Sequence, residues 1–400
     1  MKRYAKKVIA LGIGAVAKSI VIVLHTAFNI RVGYFSSSRI GHFAFDVAWH
    51  LVTQNKQGVD QKPRDIFFIE RPSCNVALER VVRRHIRAIG LSARLYQVLT
   101  SFHAPKESWL QPARVINGSR DRDGRVFRSG MSLCFSPEEN STGWRYLEKN
   151  KIVKREKFVC LLVRDGAYSR QTFGKRNHSR DTSYHNYRDS DISAYVGTAE
   201  HLAEQGYVVF RMGKHMEKPL PSKHPNVIDY AFSDDRSDLL DIWLMSNCHF
   251  CITTGTGLDA IAVIFKRPTV YVNFLPLGDL WSSHYCITVP KKLSWSAAGR
   301  LLSVHEYMEH NHHHSERYSK NGIEISALTS GEILEAVIEM ERRLNGVWER
   351  SDDDERRQVK FWEMFRSSPS FAQYHEWVNP NAMVGAKFLL QHEQEFLAER

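Results

Sequence analysis

The chain's 400 residues, 43% hydrophobic and 25% charged, supply apolar mass for two packed cores and exclude an intrinsically disordered protein. The formal net charge of +11 is unevenly spread: residues 1–150 carry 24 Lys and Arg against 11 Asp and Glu, a balance of +13, whereas residues 151–400 carry 31 against 33, a balance of −2. A basic first part calls for an anionic surface or partner, and it shows neither the aromatic pattern of an RNA-recognition fold nor a helix-turn-helix signal, so nucleic acid is not the expected one.

In chain order, "MKRYAKK" is basic and leads into a largely apolar stretch at 8–30, interrupted by Lys18 and His25. The stretch is long enough to cross a bilayer, but its central lysine makes a simple span costly, and no small-residue cleavage site follows. A helix lying on the cytoplasmic membrane leaflet is the expectation, with a buried soluble helix as the alternative. Next, "RVGYF" suits a short strand, "SSSRIGH" a polar loop and "FAFDVAWHLV" a helix with apolar residues at helical spacing. "DIFFIE" (65–70) reads as a second buried strand, and "NVALERVVRRHIRAIG" as a basic amphipathic helix ended by Gly90. Residues 104–150 are irregular, with a helix leading out.

A second series then begins, with strands at 158–164, 207–213, 226–230, 249–254 and 269–273 and helices at 191–206, 237–247 and 257–267. Alternation of this kind predicts an α/β fold with mostly parallel, doubly wound sheets that bind ligands at the carboxyl ends of their strands. Residues 331–400 read as helices packing back across the domains. The expected division is therefore a membrane-associated helix at 1–29, an N-terminal Rossmann-like domain at 30–154, a C-terminal one at 155–330, and C-terminal helices at 331–400. Cys74, Cys134, Cys160, Cys248, Cys251 and Cys286 read as thiols of a reduced cytoplasmic protein. The Cys248/Cys251 pair runs straight into an apolar strand and has no second pair at zinc spacing. His312, His313 and His314 read as a solvated loop, so no metal is expected.

Chemistry concentrates at the strand ends. In "CITTGTGLDAIAVIFKR" the strand hands over to a helix through Gly255 and Gly257, which remove Cβ atoms, while Thr253, Thr254 and Thr256 add hydroxyls. A helix N-terminus presents unsatisfied amides and a partial positive charge, which suits phosphate oxygens. The same residues also read as a plain strand–helix turn with a threonine cap. The spacing is not the dinucleotide fingerprint, and the P-loop lysine is absent. "LLVRDGAYSR" places Arg164, Asp165 and Tyr168 past one strand, "FRMGK" places Arg211 and Gly213 past another, and "VNFLPLGD" places Asn273 and Pro276 past a third. Arginines on that rim would meet a diphosphate bidentately. "HNYRDSDISAY" adds Asn186 and Arg188, with Asp189, Ser190 or Asp191 as a helix cap, and in "SDDRSDLLD" Ser237 reads as a cap. In the first domain His42 suits proton abstraction near neutral pH, or a structural hydrogen bond, and Asp46 follows one helical turn later.

Arg39, Gly41 and His42, "RD" at 164–165, "NYRDSDISAY" at 186–195, "VVFRMG", "IDY", "TGTGLD" and "VNFLPL" together resemble a bacterial glycosyltransferase family linked to surface-polysaccharide gene clusters. The resemblance covers roughly residues 30–280, and the C-terminal "VGAKFL" is also similar. Arg164 is similar to the phosphate-binding arginine of GT-B fucosyltransferases, whose preceding His is replaced here by Leu162. The resemblance implies a GT-B arrangement, two Rossmann-like domains facing a cleft. A nucleotide-sugar donor would be the substrate, held by Arg164, Asp165, Asn186, Arg188, Arg211, Gly213, Thr254, Gly255, Thr256, Gly257 and Asn273. No cofactor is expected. His42 or Asp46 would deprotonate a glycan or lipid-linked acceptor in an inverting transfer. Since "SDSD" and "SDDD" open helices or a charged stretch, no DxD motif is placed to hold a metal. The protein is expected in the cytoplasm, peripherally bound to the inner membrane. Its rivals are a nucleotide-sugar epimerase of the same fold and a non-catalytic anionic-glycan-binding protein.

Overall fold

The structure is a computed structural model of the whole chain, and it describes residues 12, 16, 19–20, 22–54, 64–89, 119–130, 133–152, 157–173 and 183–399. It divides into two compact units, Met1–Arg120 with Arg128–Pro137 and Asp121–Phe127 with Glu138–Arg400. The expected membrane-associated helix lies mostly outside the described residues. Residues 22–28 are helical, with Val23 and Phe28 exposed, and among the described residues no helix is long and apolar enough to cross a membrane.

The first unit holds a parallel sheet of β1 (Ile30–Phe35), β2 (Arg64–Ile69) and β3 (Ala88–Ile89), in that order. The helix Ile40–Gln54 connects β1 to β2 and buries Phe43, Ala44, Phe45 and Val47 completely. Asn75 caps the helix Val76–His85 by accepting the Leu78 amide at 2.7 Å. That helix stops at His85 rather than running to Gly90, because Ala88 and Ile89 pair with Phe67 and Phe68 as a third strand.

The second unit is built on a seven-stranded sheet, parallel throughout. Its strands are β4 (Phe158–Leu162), β5 (Val208–Arg211), β6 (Val227–Ile228), β7 (Phe250–Thr253), β8 (Thr269–Phe274), β9 (Cys286–Pro290) and β12 (Ala382–Val384). The first five coincide with the strands read from the sequence. Strands β4, β7 and β8 are buried residue by residue, the continuous apolar pattern of a parallel sheet covered on both faces. The spatial order is β12-β9-β8-β7-β4-β5-β6. From β4 the chain moves outward through β5 to β6, then crosses back to lay β7 on the other side of β4. The topological switch point therefore falls between β4 and β7, where open α/β sheets bind ligands.

Two parts of this unit depart from the chain-order reading. The helix Pro137–Lys149 belongs here from Glu138 onward: the buried Trp243 indole donates to Asn140 Oδ1 at 3.1 Å, and its ring fills the space a Cβ on Gly143 would need. The C-terminal segment is not purely helical. Helices Ser330–Leu344, Asp352–Ser367 and Ala386–Phe396 belong to this unit, and β12 joins the sheet beside β9. The Gln358 carboxamide donates to the Val384 carbonyl at 2.5 Å and accepts its amide at 3.1 Å, so it stands in for a neighbouring strand on that edge. An antiparallel ribbon of β10 (Lys292–Trp295) and β11 (Ile323–Ser326) completes the unit.

Candidate functional site

At the switch point the two strand ends are stitched together. Thr254 Oγ1 accepts the Arg164 amide at 2.9 Å, and the Thr254 amide donates to the Leu162 carbonyl at 3.2 Å. Gly255 follows with φ +78°, and a Cβ there would lie 2.8 Å from Phe274 Cε2, so both backbone and space require glycine. The turn's amides have partners of their own. Gly255 N–H donates to Thr253 Oγ1 at 3.1 Å, and Thr256 N–H donates to Asp259 Oδ2 at 2.8 Å. Asp259 Oδ2 also accepts the Thr253 hydroxyl at 3.0 Å. Burial raises the Asp259 pKa to about 6 against these bonds. The following helix, Asp259–Ile264, is a single short segment whose first residue is that carboxylate. Two of the turn's amides, those of Gly255 and Thr256, are thus braced from within the chain. Gly257 is exposed, and Thr256 Oγ1 is buried with no hydrogen-bond partner among the described residues.

What surrounds the turn is cationic. The 3-10 turn Ser183–Arg188 brings Arg188 Nη2 onto the Gly255 carbonyl, while Arg188 Nε is buried with no partner among the described residues. Arg164 Nε donates to Asp189 Oδ1 at 2.8 Å. Lys291, directly after β9 and only 5% exposed, reaches the Asp189 backbone carbonyl with Nζ at 2.6 Å. Two cations from strand ends and one from the 3-10 turn are therefore brought together, and Asp189 supplies the one carboxylate bonded to any of them among the described residues. Asp259 and Asp279 act on Arg188 through space. Burial, reinforced by the Arg164 charge, lowers the Arg188 pKa, and burial brings Lys291 from 10.5 down to about 8. Both shifts have the sign of cations whose desolvation is not offset by neighbouring carboxylates.

The other sequence-derived candidates divide. Asp165 accepts the Ala167 amide at 3.0 Å and the Glu217 amide at 2.9 Å, tying the loop after β5 to the end of β4; burial raises its pKa. Asn186 is exposed on the 3-10 turn beside Arg188. Gly213 lies against Met216 and Ala231. Asp191 is a cap, accepting the Ser193 amide at 3.2 Å, and Ser237 caps the helix Asp238–Asn247. Arg211 does not present its charge to the rim: it is wholly buried, paired with Asp229 at 3.1 Å and donating to the Lys218 carbonyl at 3.0 Å. Asn273, at φ +55°, uses both ends of its carboxamide internally, donating to Tyr195 Oη at 3.0 Å and accepting the Leu328 amide at 2.7 Å. The structure thus gathers Arg164, Arg188, Thr254, Gly255 and Thr256, and makes Arg211 and Asn273 part of the scaffold. Lys291 was missed. Its one sequence signal is "VPKKL", a lysine pair directly after a buried strand.

In the first unit His42 and Asp46 lie one turn apart on the helix Ile40–Gln54. His42 Nδ1 shares a 2.6 Å hydrogen bond with Ser119 Oγ, and Asp46 is buried. The loop before them is tied to the end of β2: Ser36 donates to Glu70 Oε2 at 2.8 Å, and Ser37 donates to the Glu70 carbonyl. Among the described residues no group of three or more His, Cys, Asp or Glu side chains is placed to hold a metal ion.

No protein-family model matches the chain, and no curated protein matches it. Solved structures do. The E. coli ADP-heptose LPS heptosyltransferase II aligns over 65% of this chain and 90% of its own, with 12% identity and a TM-score of 0.39. The E. coli heptosyltransferase WaaC with ADP-2-deoxy-2-fluoro heptose aligns over 65% and 92%, with 11% identity and a TM-score of 0.35. A glycosyl transferase family 9 structure from Veillonella parvula aligns over 79% of this chain and 97% of its own, with 10% identity and a TM-score of 0.53. That last alignment spans most of both chains, and it shows that this chain shares the fold of a glycosyl transferase family 9 structure.

Proposed function

We propose that the chain is a glycosyltransferase of bacterial surface-polysaccharide synthesis, with the second unit as the donor domain of a GT-B-type enzyme and the first as its acceptor domain. One observation carries the reading. At the switch point Arg164 is bonded to the Asp189 carboxylate, Lys291 to the Asp189 backbone carbonyl and Arg188 to the Gly255 carbonyl, and Arg188 Nε and Thr256 Oγ1 still lack partners among the described residues. The diphosphate of a nucleotide-activated sugar would supply the missing negative charge and accept those donors. The fold shared with a glycosyl transferase family 9 structure supports the reaction class.

Chemistry follows from that placement. As the bond between the anomeric carbon and the diphosphate oxygen breaks, its electron pair stays on the departing diphosphate, and fixed cations stabilise the growing charge without reorganising. They take the part a divalent metal would otherwise play. The acceptor hydroxyl, on a glycan or lipid-linked sugar, attacks the anomeric carbon from the opposite face and gives its proton to His42 or Asp46, which inverts the configuration. The basic N-terminal segment would hold the protein on the cytoplasmic leaflet of the inner membrane, near a lipid-linked acceptor.

Titration calorimetry with ADP, GDP and UDP tests the donor site. At least one should bind, and Arg164→Ala should weaken it about tenfold or more, the loss of one charge-assisted contact. A folded protein that binds none of the three would refute the reading. Conversion of the donor sugar without any acceptor would make it an epimerase instead.

A further inference from the structure

Two strands from the switch point, at the sheet edge, β6 runs into the 3-10 turn Tyr230–Phe232. Tyr230 is buried, its hydroxyl donating to Asp241 Oδ1 at 3.1 Å. Phe232 is 50% exposed. One face of its ring is covered: the Arg211 guanidinium carbon stands 5.3 Å from the ring centroid, and Arg211 is itself fixed by Asp229 and the Lys218 carbonyl. A buried cation thus clamps an aromatic ring whose remaining surface faces solvent. Among the described residues of this unit, the exposed large apolar side chains are Phe232, Val347, Val359 and Leu390, of which Phe232 alone is aromatic.

The rim between Phe232 and Arg164 is continuous. Asp165 holds the Glu217 amide, the Tyr168 ring stacks on His215 at 6.0 Å, and Ala231 packs beside Gly213. Neighbouring strands lie about 4.8 Å apart, so the carboxyl ends of β4 and β6, with β5 between them, are about 10 Å apart. That is the reach from the diphosphate to the base of an extended nucleotide.

We propose that Phe232 is the stacking platform for the base of the donor nucleotide, held in orientation by Arg211. The proposal rests on the diphosphate reading of the switch point and adds to it a base subsite at the sheet edge. It also gives Arg211 its role: the guanidinium touches no phosphate and fixes the ring that meets the base. Because every base offers a π-face, stacking here supplies affinity rather than hydrogen-bond readout of base identity.

The test titrates the full chain and its Phe232→Ala, Phe232→Trp and Arg164→Ala variants with two probes, inorganic pyrophosphate and whichever of ADP, GDP or UDP the parent binds. Phe232→Ala should weaken the nucleoside diphosphate by about tenfold or more and leave pyrophosphate within about twofold. Phe232→Trp should restore nucleotide affinity, and Arg164→Ala should weaken both probes. Parent-like nucleotide affinity in Phe232→Ala overturns the base subsite, while loss of both probes in Arg164→Ala keeps the diphosphate site standing. Equal loss of both probes in Phe232→Ala also overturns it, since Phe232 would then act only through its packing on Arg211. A parent that binds neither probe removes the diphosphate reading itself, and the base subsite with it.

Discussion

Replacing Lys291 by methionine should stabilise the empty protein and weaken diphosphate binding at once. Lys291 is buried, and its ammonium stands within the field of Arg164 with the Asp189 carbonyl as its one bonded partner among the described residues. Burial, reinforced by Arg164 and opposed by the Asp189 charge, brings its pKa from 10.5 to about 8. Between those values the unfolded chain holds a proton that the folded chain has released, so stability rises with pH across that window. Below about pH 8 the charge is present in both states and its full cost is felt, on the order of 3 kcal/mol. Methionine keeps the length and apolar stem but leaves the Asp189 carbonyl without its donor, which costs about 1 kcal/mol. The net expectation at neutral pH is a gain of about 2 kcal/mol in urea unfolding.

Binding should move the other way. Losing one charge-assisted hydrogen bond to a phosphate oxygen removes about 1.5–3 kcal/mol, a factor of about 10 to 150 in affinity. In the parent, diphosphate affinity should also fall as pH rises through about 8, because the free protein then loses the Lys291 proton; in Lys291→Met that dependence should vanish. Urea unfolding at about pH 7, with calorimetry at about pH 7 and about pH 9.5, reads both effects. A variant that is less stable than the parent yet binds diphosphate equally well makes Lys291 a structural residue, and the cluster argument fails with it.

Two further outcomes are expected. His42→Ala should lower turnover about 100-fold or more with donor affinity nearly unchanged, and Asp46→Asn is its comparison; loss in the Asp46 variant alone transfers the proton to that carboxylate. A chain lacking residues 1–29 should still bind nucleotide but no longer sediment with phosphatidylglycerol vesicles, since each nearby Lys or Arg contributes about 1 kcal/mol on an anionic surface; full-length protein that ignores such vesicles at low ionic strength refutes the membrane role.

The strand ends were legible because parallel strands buried on both faces spell themselves as apolar runs, and β4, β5, β7 and β8 all do. What the sequence could not show is which way a polar residue at a strand end is used. Arg211 and Arg164 look equivalent, each closing an apolar run. Arg211 is claimed by Asp229 and the Lys218 carbonyl within the next loop, whereas Arg164 meets the carboxylate of Asp189, a residue whose backbone carbonyl Lys291, 102 positions away, also reaches. The glycine turn carries a bond the sequence did not announce: Asp259, one turn away, accepts the Thr256 amide and the Thr253 hydroxyl. Short strands such as β12 escape pattern reading because three residues before Gly385 are too few to show a period.

The manner in which the three cations are held decides whether the cluster can act at all. Lys291 and Arg188 are each positioned by a backbone carbonyl, that of Asp189 and that of Gly255, and only Arg164 by a carboxylate. A carbonyl dipole fixes an ammonium or guanidinium in place without cancelling its charge, whereas a bonded carboxylate would fix it and neutralise it together. Had all three cations carboxylate partners, the rim would be stable and well ordered but would offer an incoming diphosphate no surplus charge. With one carboxylate among three cations, the geometry is set before any ligand arrives and the surplus remains, at a cost in stability that the lowered pKa of Lys291 records. The strain falls on the empty state and is relieved by the ligand, so affinity for an anion and instability without it are two readings of one arrangement.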